Sequence, residues 1–265
     1  MTAARLVCFE ARIRRDEEHC RNLSVSLRSP PVKAQAKAHS YRLRGGVVRV
    51  AMWHGCPDIA TIAVRGVDAP SPRTLDRLLD RLRDDGYRQV LTNAVGPATS
   101  AWLVEHGFAV QGRLHLLEHA LDELSRPSRR TRKATRADRD AIVEVDAASF
   151  DEFWRFDELA LREAMRATPR AHTRVASSKD LVLGYGLFGR AGATGYVQRL
   201  AVGPNGQGRG LGRALLNDGL RWLQLHGATR ALVNTQEDNA RALDLYLRAG
   251  FTRLPVGLCV LGRDL

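Results

Sequence analysis

No stretch of the chain approaches the roughly 20 consecutive apolar residues that a bilayer-spanning helix needs, although 44% of its 265 residues are hydrophobic. No membrane partner is therefore expected, and there is ample material for a buried core. The opening MTAARLVCFEARIRRDEEHC has no apolar centre. No secretory signal is expected there, and the reading is a cytoplasmic protein. Cysteine is scarce. Cys8, Cys20, Cys56 and Cys259 include no CxxC pair, and no His/Cys cluster has metal-ligand spacing. Free thiols and no metal are predicted. Lysine is scarcer than the charge suggests: Lys33, Lys37, Lys133 and Lys179 are the only ones, so the net charge of +12 is carried by arginine. Such a balance suits an acidic partner, whether nucleic acid, a membrane surface or a phosphorylated cofactor. No RRM, KH or zinc-finger pattern is present, and arginine excess also follows from a GC-rich coding sequence. Only the charge supports a basic nucleic-acid-associated protein.

Residues 1–45 mix Arg, Ser and Pro without a sustained period and read as a poorly ordered leader. Strands are expected at Val47–Met52 and Ile59–Val64, a helix at Thr74–Arg83 stopped by Asp84-Asp85-Gly86, a strand at Gln89–Val95, a helix at Ala98–His106 and a strand at Phe108–Leu117. The polar, basic, proline-broken SRPSRRTRK that begins at Ser125 reads as an interdomain linker, placed at 125–130. Beyond it the pattern is regular. Strands are expected at Thr131–Arg136, His172–Ala176, Leu181–Phe188, Thr194–Val202 and Arg230–Asn234, with two short ones at the end. Helices are expected at Ala137–Phe150, Asp157–Ala167, Gly210–His226 and Asn239–Ala249. This interleaving predicts an α/β protein built on a mixed sheet with both faces covered. The expected organisation is a leader at 1–45, a lobe at 46–124, the linker and a catalytic domain at 131–265.

The segment that carries chemistry is YVQRLAVGPNGQGRGLGRALL, Tyr196–Leu216. A buried strand runs into a glycine-rich turn and directly into an amphipathic helix. Gly206, Gly208, Gly210 and Gly212 let the backbone take positive φ and approach a ligand closely. Successive amides then converge at the positive end of the helix, a geometry that binds phosphate or pyrophosphate. Arg209 and Arg213 can add charge-assisted bonds. The Lys-Ser/Thr ending of a P-loop is missing, since Arg213-Ala214 follows Gly212, and GxGxxG spacing fails as well. The physics alone gives a phosphorylated cofactor.

Gln207-x-x-Gly210-x-Gly212 resembles the Q/R-x-x-G-x-G/A acyl-CoA motif of the GCN5-related N-acetyltransferase (GNAT) superfamily. Leu200–Pro204 (LAVGP) resembles that family's fourth strand. Asn239, Ala242, Tyr246, Gly250 and Phe251 match its closing N-x-x-A-x-x-x-Y-x-x-x-G-F element. The likeness covers roughly Arg130–Leu265. It implies the GNAT acyl-CoA N-acyltransferase fold, acetyl-CoA as co-substrate and an amine acceptor, either a protein N-terminus or lysine or a small molecule. It implies that backbone groups of Leu200, Ala201 and Val202 hold the pantetheine arm. The amides of Gln207, Gly208, Arg209, Gly210, Leu211, Gly212 and Arg213 would take the pyrophosphate. Asn239, whose residue type also suits a helix N-cap, would contact the cofactor. Tyr246 would serve as the catalytic acid that protonates the leaving sulfur. In one branch of the family a glutamate sits five residues before that asparagine; here the position is Asn234, which cannot accept a proton. Asp151 or Glu152, a water, or no base at all are the alternatives. Phe153, Trp154 and Phe156 either wall an acceptor pocket or pack in the core.

Gly86–Phe108 repeats the pattern of Gly227–Phe251: helix end, strand, helix, Gly-Phe. The first half thus resembles a second, degenerate GNAT lobe. Arg65–Thr74 (RGVDAPSPRT) stands where the cradle would be, and Pro70 and Pro72 lack amide protons. Leu103 stands in the place of Tyr246. One C-terminal cofactor site per chain is expected. The competing reading is a catalytically weak acyl-CoA-binding regulatory module, which the missing glutamate favours and Tyr246 opposes.

Overall fold

The computed structural model describes residues 39–43, 46–54, 56–65, 71–151, 154–179 and 181–265. Most of 1–45, part of the proline-bearing Arg65–Thr74 segment, Glu152 and Phe153 lie outside them, although a strand, β1, occupies His39–Leu43. The chain divides into two compact units. Among the described residues, one comprises those from His39 to Gly112 together with Cys259–Leu265, and the other is Arg113–Leu258. Residues 125–130 fall inside the second unit, and the division itself falls within strand β5.

The N-terminal unit contains β1, β2 (Gly46–Trp53), β3 (Cys56–Arg65), helix α1 (Pro72–Asp84), β4 (Gln89–Thr92), α2 (Pro97–Glu105) and the start of β5 (Ala109–His119). Its sheet runs β1-β2-β3-β4, and the last strand of the chain, β12 (Leu258–Asp264), adds antiparallel to β4. Leu75, Leu78, Leu79 and Leu82 recur at helical spacing on α1 and all are buried. They join Val50, Ile62, Val90 and Leu261 of the strands in one core.

The C-terminal unit continues with β6 (Arg132–Lys133), α3 (Arg139–Ser149), α4 (Glu158–Met165), β7 (Arg170–Ser178), β8 (Leu181–Ala191), β9 (Thr194–Val202), α5 (Leu211–Leu225), β10 (Arg230–Gln236), α6 (Ala240–Arg248) and β11 (Thr252–Arg253). Its sheet runs β5-β10-β9-β8-β7-β6, with β11 on β5. One core holds Val197 of β9, Val233 of β10, Tyr246 of α6 and Leu216, Leu220 and Leu223 of α5. Another holds Ile142 and Val145 of α3, Leu161 of α4, Val175 of β7 and Tyr185 and Leu187 of β8. β6 is shorter than the expected Thr131–Arg136. Thr135 and Asp138 form a reciprocal capping box that turns the chain into a 3-10 helix at Arg136–Asp138.

The two units share a local design. β3 and β4 pair in parallel across α1, as β9 and β10 do across α5. Helices α2 and α6 both end in a Schellman turn. Gly107 (φ +81°) and Gly250 (φ +94°) take the left-handed position. The following Phe108 and Phe251 donate to the carbonyls of Leu103 and Tyr246, each at 3.1 Å. Leu103 and Tyr246 therefore hold equivalent helical positions, both buried.

Candidate active site

The parallel ladder between β9 and β10 pairs Thr194, Gly195 and Tyr196 with Arg230, Ala231 and Leu232, and ends there. Beyond it, β9 and β10 continue to Val202 and Gln236 along the sides of a cavity of about 520 Å³. Leu200, Ala201 and Val202 line it from one strand and Asn234 from the other. The antiparallel pairing of β8 with β9 also shifts register here: Leu187 faces Arg199 and Phe188 faces Val197, so Gln198 is an extra residue that bends the strand.

The glycine turn closes one end. Pro204–Gly206 forms a 3-10 turn, Gly208 and Gly210 take φ of +71° and +75°, and Gly210 is the N-cap of α5 with no side-chain capping bond. The first amides of an α-helix have no intrahelical acceptor, so those of Leu211, Gly212 and Arg213 are available to a ligand at the positive helix end. A Cβ at Gly208 or Gly210 would meet nothing within 4 Å, so backbone conformation selects glycine there. Gln207 secures the turn. Its Nε2 donates to the Val202 carbonyl at 3.2 Å, and its Oε1 accepts from Arg241 of α6 at 2.7 Å. Of the candidate residues from Leu200 to Arg213, Arg209 alone is absent from the cavity lining. It donates to the Asn205 carbonyl at 3.4 Å instead.

Helix α6 supplies the other wall. Asn239 lines the cavity and also accepts from the Ala242 amide at 2.9 Å, so it caps the helix while facing the site. Tyr246, about two helical turns further on, is 6% exposed, lines the cavity and packs near Phe251. Asn234 is 4% exposed, and neither polar atom of its side chain meets a hydrogen-bond partner. A buried amide left so costs about 1–3 kcal/mol, and its place in the lining gives a ligand group a donor and an acceptor.

Among the described residues of the loop after α3, Phe150 lines the cavity, whereas Trp154 and Phe156, which one of the two readings placed in a pocket wall, do not. Trp154 and Phe156 are each 2% exposed, and Phe156 packs in the core with Ile142 and Leu161. Asp151 is exposed and outside the lining. What the loop builds is a buried ionic floor. Arg199 of β9, 1% exposed, donates from Nε and one Nη to both carboxylate oxygens of Asp146 at 2.8 Å each. The same Nη donates to the Trp154 carbonyl at 2.9 Å. Asp146 also accepts from the Tyr185 hydroxyl at 2.5 Å and the Phe156 amide at 2.6 Å. The guanidinium lies 3.4 Å from the ring centre of Phe150 and 4.1 Å from that of Phe156. Arg199 and Phe150 both line the cavity. Burial, then the negative Asp146, push the Tyr185 phenol well above its usual pKa, so it stays a donor. Sequence reasoning missed this network. Its signal was a lone arginine inside the apolar strand YVQRLAV and an aspartate on the apolar face of α3.

Residues 139–251 match the model of the acetyltransferase (GNAT) family. Mycothiol acetyltransferase of Amycolatopsis mediterranei is 36% identical over 133 residues, 44% of this chain and 43% of that protein. The Geodermatophilus obscurus protein of the same name is 39% identical over 107 residues, 38% of this chain and 35% of its own. The matched segments thus span less than half the length of these relatives. A tandem GNAT protein from the clavulanic acid biosynthesis pathway, solved without AcCoA, superposes with a TM-score of 0.62 at 16% identity. That match covers 83% of this chain and 79% of the other. What the C-terminal unit shows, therefore, is a segment, residues 139–251, that is similar in sequence to the acetyltransferase (GNAT) family.

Proposed function

We propose that the C-terminal unit is an acetyl-CoA-dependent N-acetyltransferase acting on a primary amine. The observation that carries this reading is a single cavity lined at once by the end of β9, the glycine turn and Asn239 and Tyr246 of α6. Its volume of about 520 Å³ falls within the usual range for small-molecule sites. Acetyl-CoA, when bound, supplies an acetyl group activated as a thioester. The backbone of Leu200–Val202, past the end of the β9–β10 ladder, offers strand-like hydrogen bonds to an extended arm. The amides from Gln207 to Arg213 hold the pyrophosphate, and Arg213, Arg241 and Arg248, all in the lining, add positive charge. An amide of Leu200 or Val202 polarises the carbonyl oxygen. The Tyr246 phenol holds the proton that the departing sulfur takes up.

The second reading, an acyl-CoA-binding regulatory module with weak activity, is favoured by one observation. Asp244 is the sole acid in the cavity lining, and Arg248 donates to it at 2.8 Å. Among the described residues no other carboxylate lines the cavity, and Asn234 occupies the position of the glutamate. Release of free CoA from acetyl-CoA should therefore be followed across peptides, polyamines, aminoglycosides and amino-sugar thiols, the last chosen because the relatives are named for mycothiol. Acceptor-dependent release supports the enzyme. Tight acetyl-CoA binding with no acceptor-dependent release across the panel supports the module.

A further inference from the structure

The C-terminal unit holds a second cavity, of about 420 Å³, made from other residues than the first. It lies where the outer strand runs out. β6 pairs only with Val175 and Arg174, so Ala171, His172 and Thr173 of β7 line a cavity instead of a neighbouring strand, apart from the Ala134 amide donating to the Thr173 carbonyl at 2.9 Å. Three features of the lining point to one ligand chemistry. Lys133, Arg136 and Arg139 contribute three cations, and no Asp or Glu is among the lining residues. Among the described residues, only Arg139 of these has a carboxylate within 4 Å, Glu158 at 3.7 Å, which Arg162 already holds at 2.7 Å. Ile142, Leu161 and Met165 make an apolar wall. On the other side the ring of His172 stacks on Trp222, 4.8 Å between centres and 6° from parallel, and Trp222 stacks in turn on His226 at 4.5 Å, an aromatic wall against which a further ring can pack. The Thr173 hydroxyl is the independent sign. Thr173 is 7% exposed and lines the cavity, yet its Oγ1 meets no hydrogen-bond partner. A buried hydroxyl of this kind is destabilising unless something completes it.

We infer that this cavity is a second ligand site, distinct from the acyl-CoA cavity, for a small aromatic carboxylate. The carboxylate meets the cations of Lys133, Arg136 and Arg139, the ring lies between the apolar wall and the His172–Trp222 face, and a polar substituent reaches the Thr173 hydroxyl. His172 contributes as a neutral ring, since burial and then the positive Arg174 lower its pKa to about 4.

Salicylate is a suitable probe, with benzyl alcohol as the same ring without charge and inorganic phosphate as charge without a ring. In the intact chain, salicylate should shift the Trp222 indole N–H resonance saturably, with a dissociation constant at about millimolar or below. The resonance is assigned with Trp222→Phe. Benzyl alcohol and phosphate should each bind several-fold more weakly. Thr173→Val, which keeps shape and removes the hydroxyl, should weaken salicylate by roughly fivefold to tenfold. Arg136→Gln should also weaken it, and both variants should keep acetyl-CoA affinity. The inference fails if salicylate leaves the Trp222 resonance unmoved in the unmodified chain. It fails equally if phosphate matches salicylate or if neither substitution alters its binding.

Discussion

Tyr246 sits at the junction of two roles. Its carbonyl accepts from the Phe251 amide in the closing turn of α6, while its side chain lines the cavity proposed to take acetyl-CoA. Removing only the hydroxyl separates them. Tyr246→Phe should leave fold and acetyl-CoA affinity nearly unchanged and lower turnover by roughly 10²–10⁴, the range for losing a positioned acid. Unchanged turnover would assign proton delivery to another group. Arg199 calls for a different test, because it and Asp146 are each 1% exposed and bonded to one another. Arg199→Met strands a buried carboxylate and should cost about 3–5 kcal/mol by urea unfolding. Replacing both, as Arg199→Met with Asp146→Leu, should recover much of that loss. A single substitution as mild as the double one would mean that the pair is not coupled.

At the scale of elements, the ends of helices and strands set the pH response. Burial lowers the pKa of His172 to about 4 from 6.5 and lowers that of His119 as well. The unfolded chain then takes up these protons first. Stability is complete above about pH 6.5 and falls as the pH drops toward 4. Asp138, held well below the usual carboxylate range by Arg132 and then by the Thr135 cap, adds a second loss in stronger acid, below the unfolded carboxylate value near ~3.9. Unfolding midpoints measured against pH should show both steps, and His172→Gln should shallow the first. An unaltered slope in that variant would remove His172 from the account.

The elements also show what the sequence could carry. β9 runs over Thr194–Val202 as expected, and α5 differs from expectation by one residue at each end. The glycine turn was legible because positive φ at Gly208 and Gly210 leaves a compositional mark. The Arg199–Asp146–Tyr185 network was not, because its members lie 53 and 39 residues apart and meet only through tertiary packing. The pairing of β12 with β4 was equally hidden. Gly262 faces Leu91 across most of the chain's length, and no local pattern records that choice.

For the whole molecule, the question is how many cofactor sites the chain has. The N-terminal unit repeats the strand–helix–strand–helix order, but Leu103 stands where the C-terminal unit has Tyr246, and α1 has an extended Ser71 cap followed by Pro72 where α5 has its left-handed Gly210 cap followed by Leu211. A proline nitrogen donates nothing to a phosphate. One site per chain follows as the proposal, placed between β9, the glycine turn and α6.

The measurement that bears most directly on this is calorimetric titration of the intact chain with acetyl-CoA, alongside Gly210→Glu. A carboxylate at that position would fill the cradle and repel the pyrophosphate; the space around Gly210 is open, and the left-handed backbone adds a local strain of about 1–2 kcal/mol. The account predicts a stoichiometry near one for the unmodified chain and loss of binding in Gly210→Glu, with the cooperative unfolding transition retained. Two equivalent sites, or undiminished binding in a folded Gly210→Glu, would contradict it.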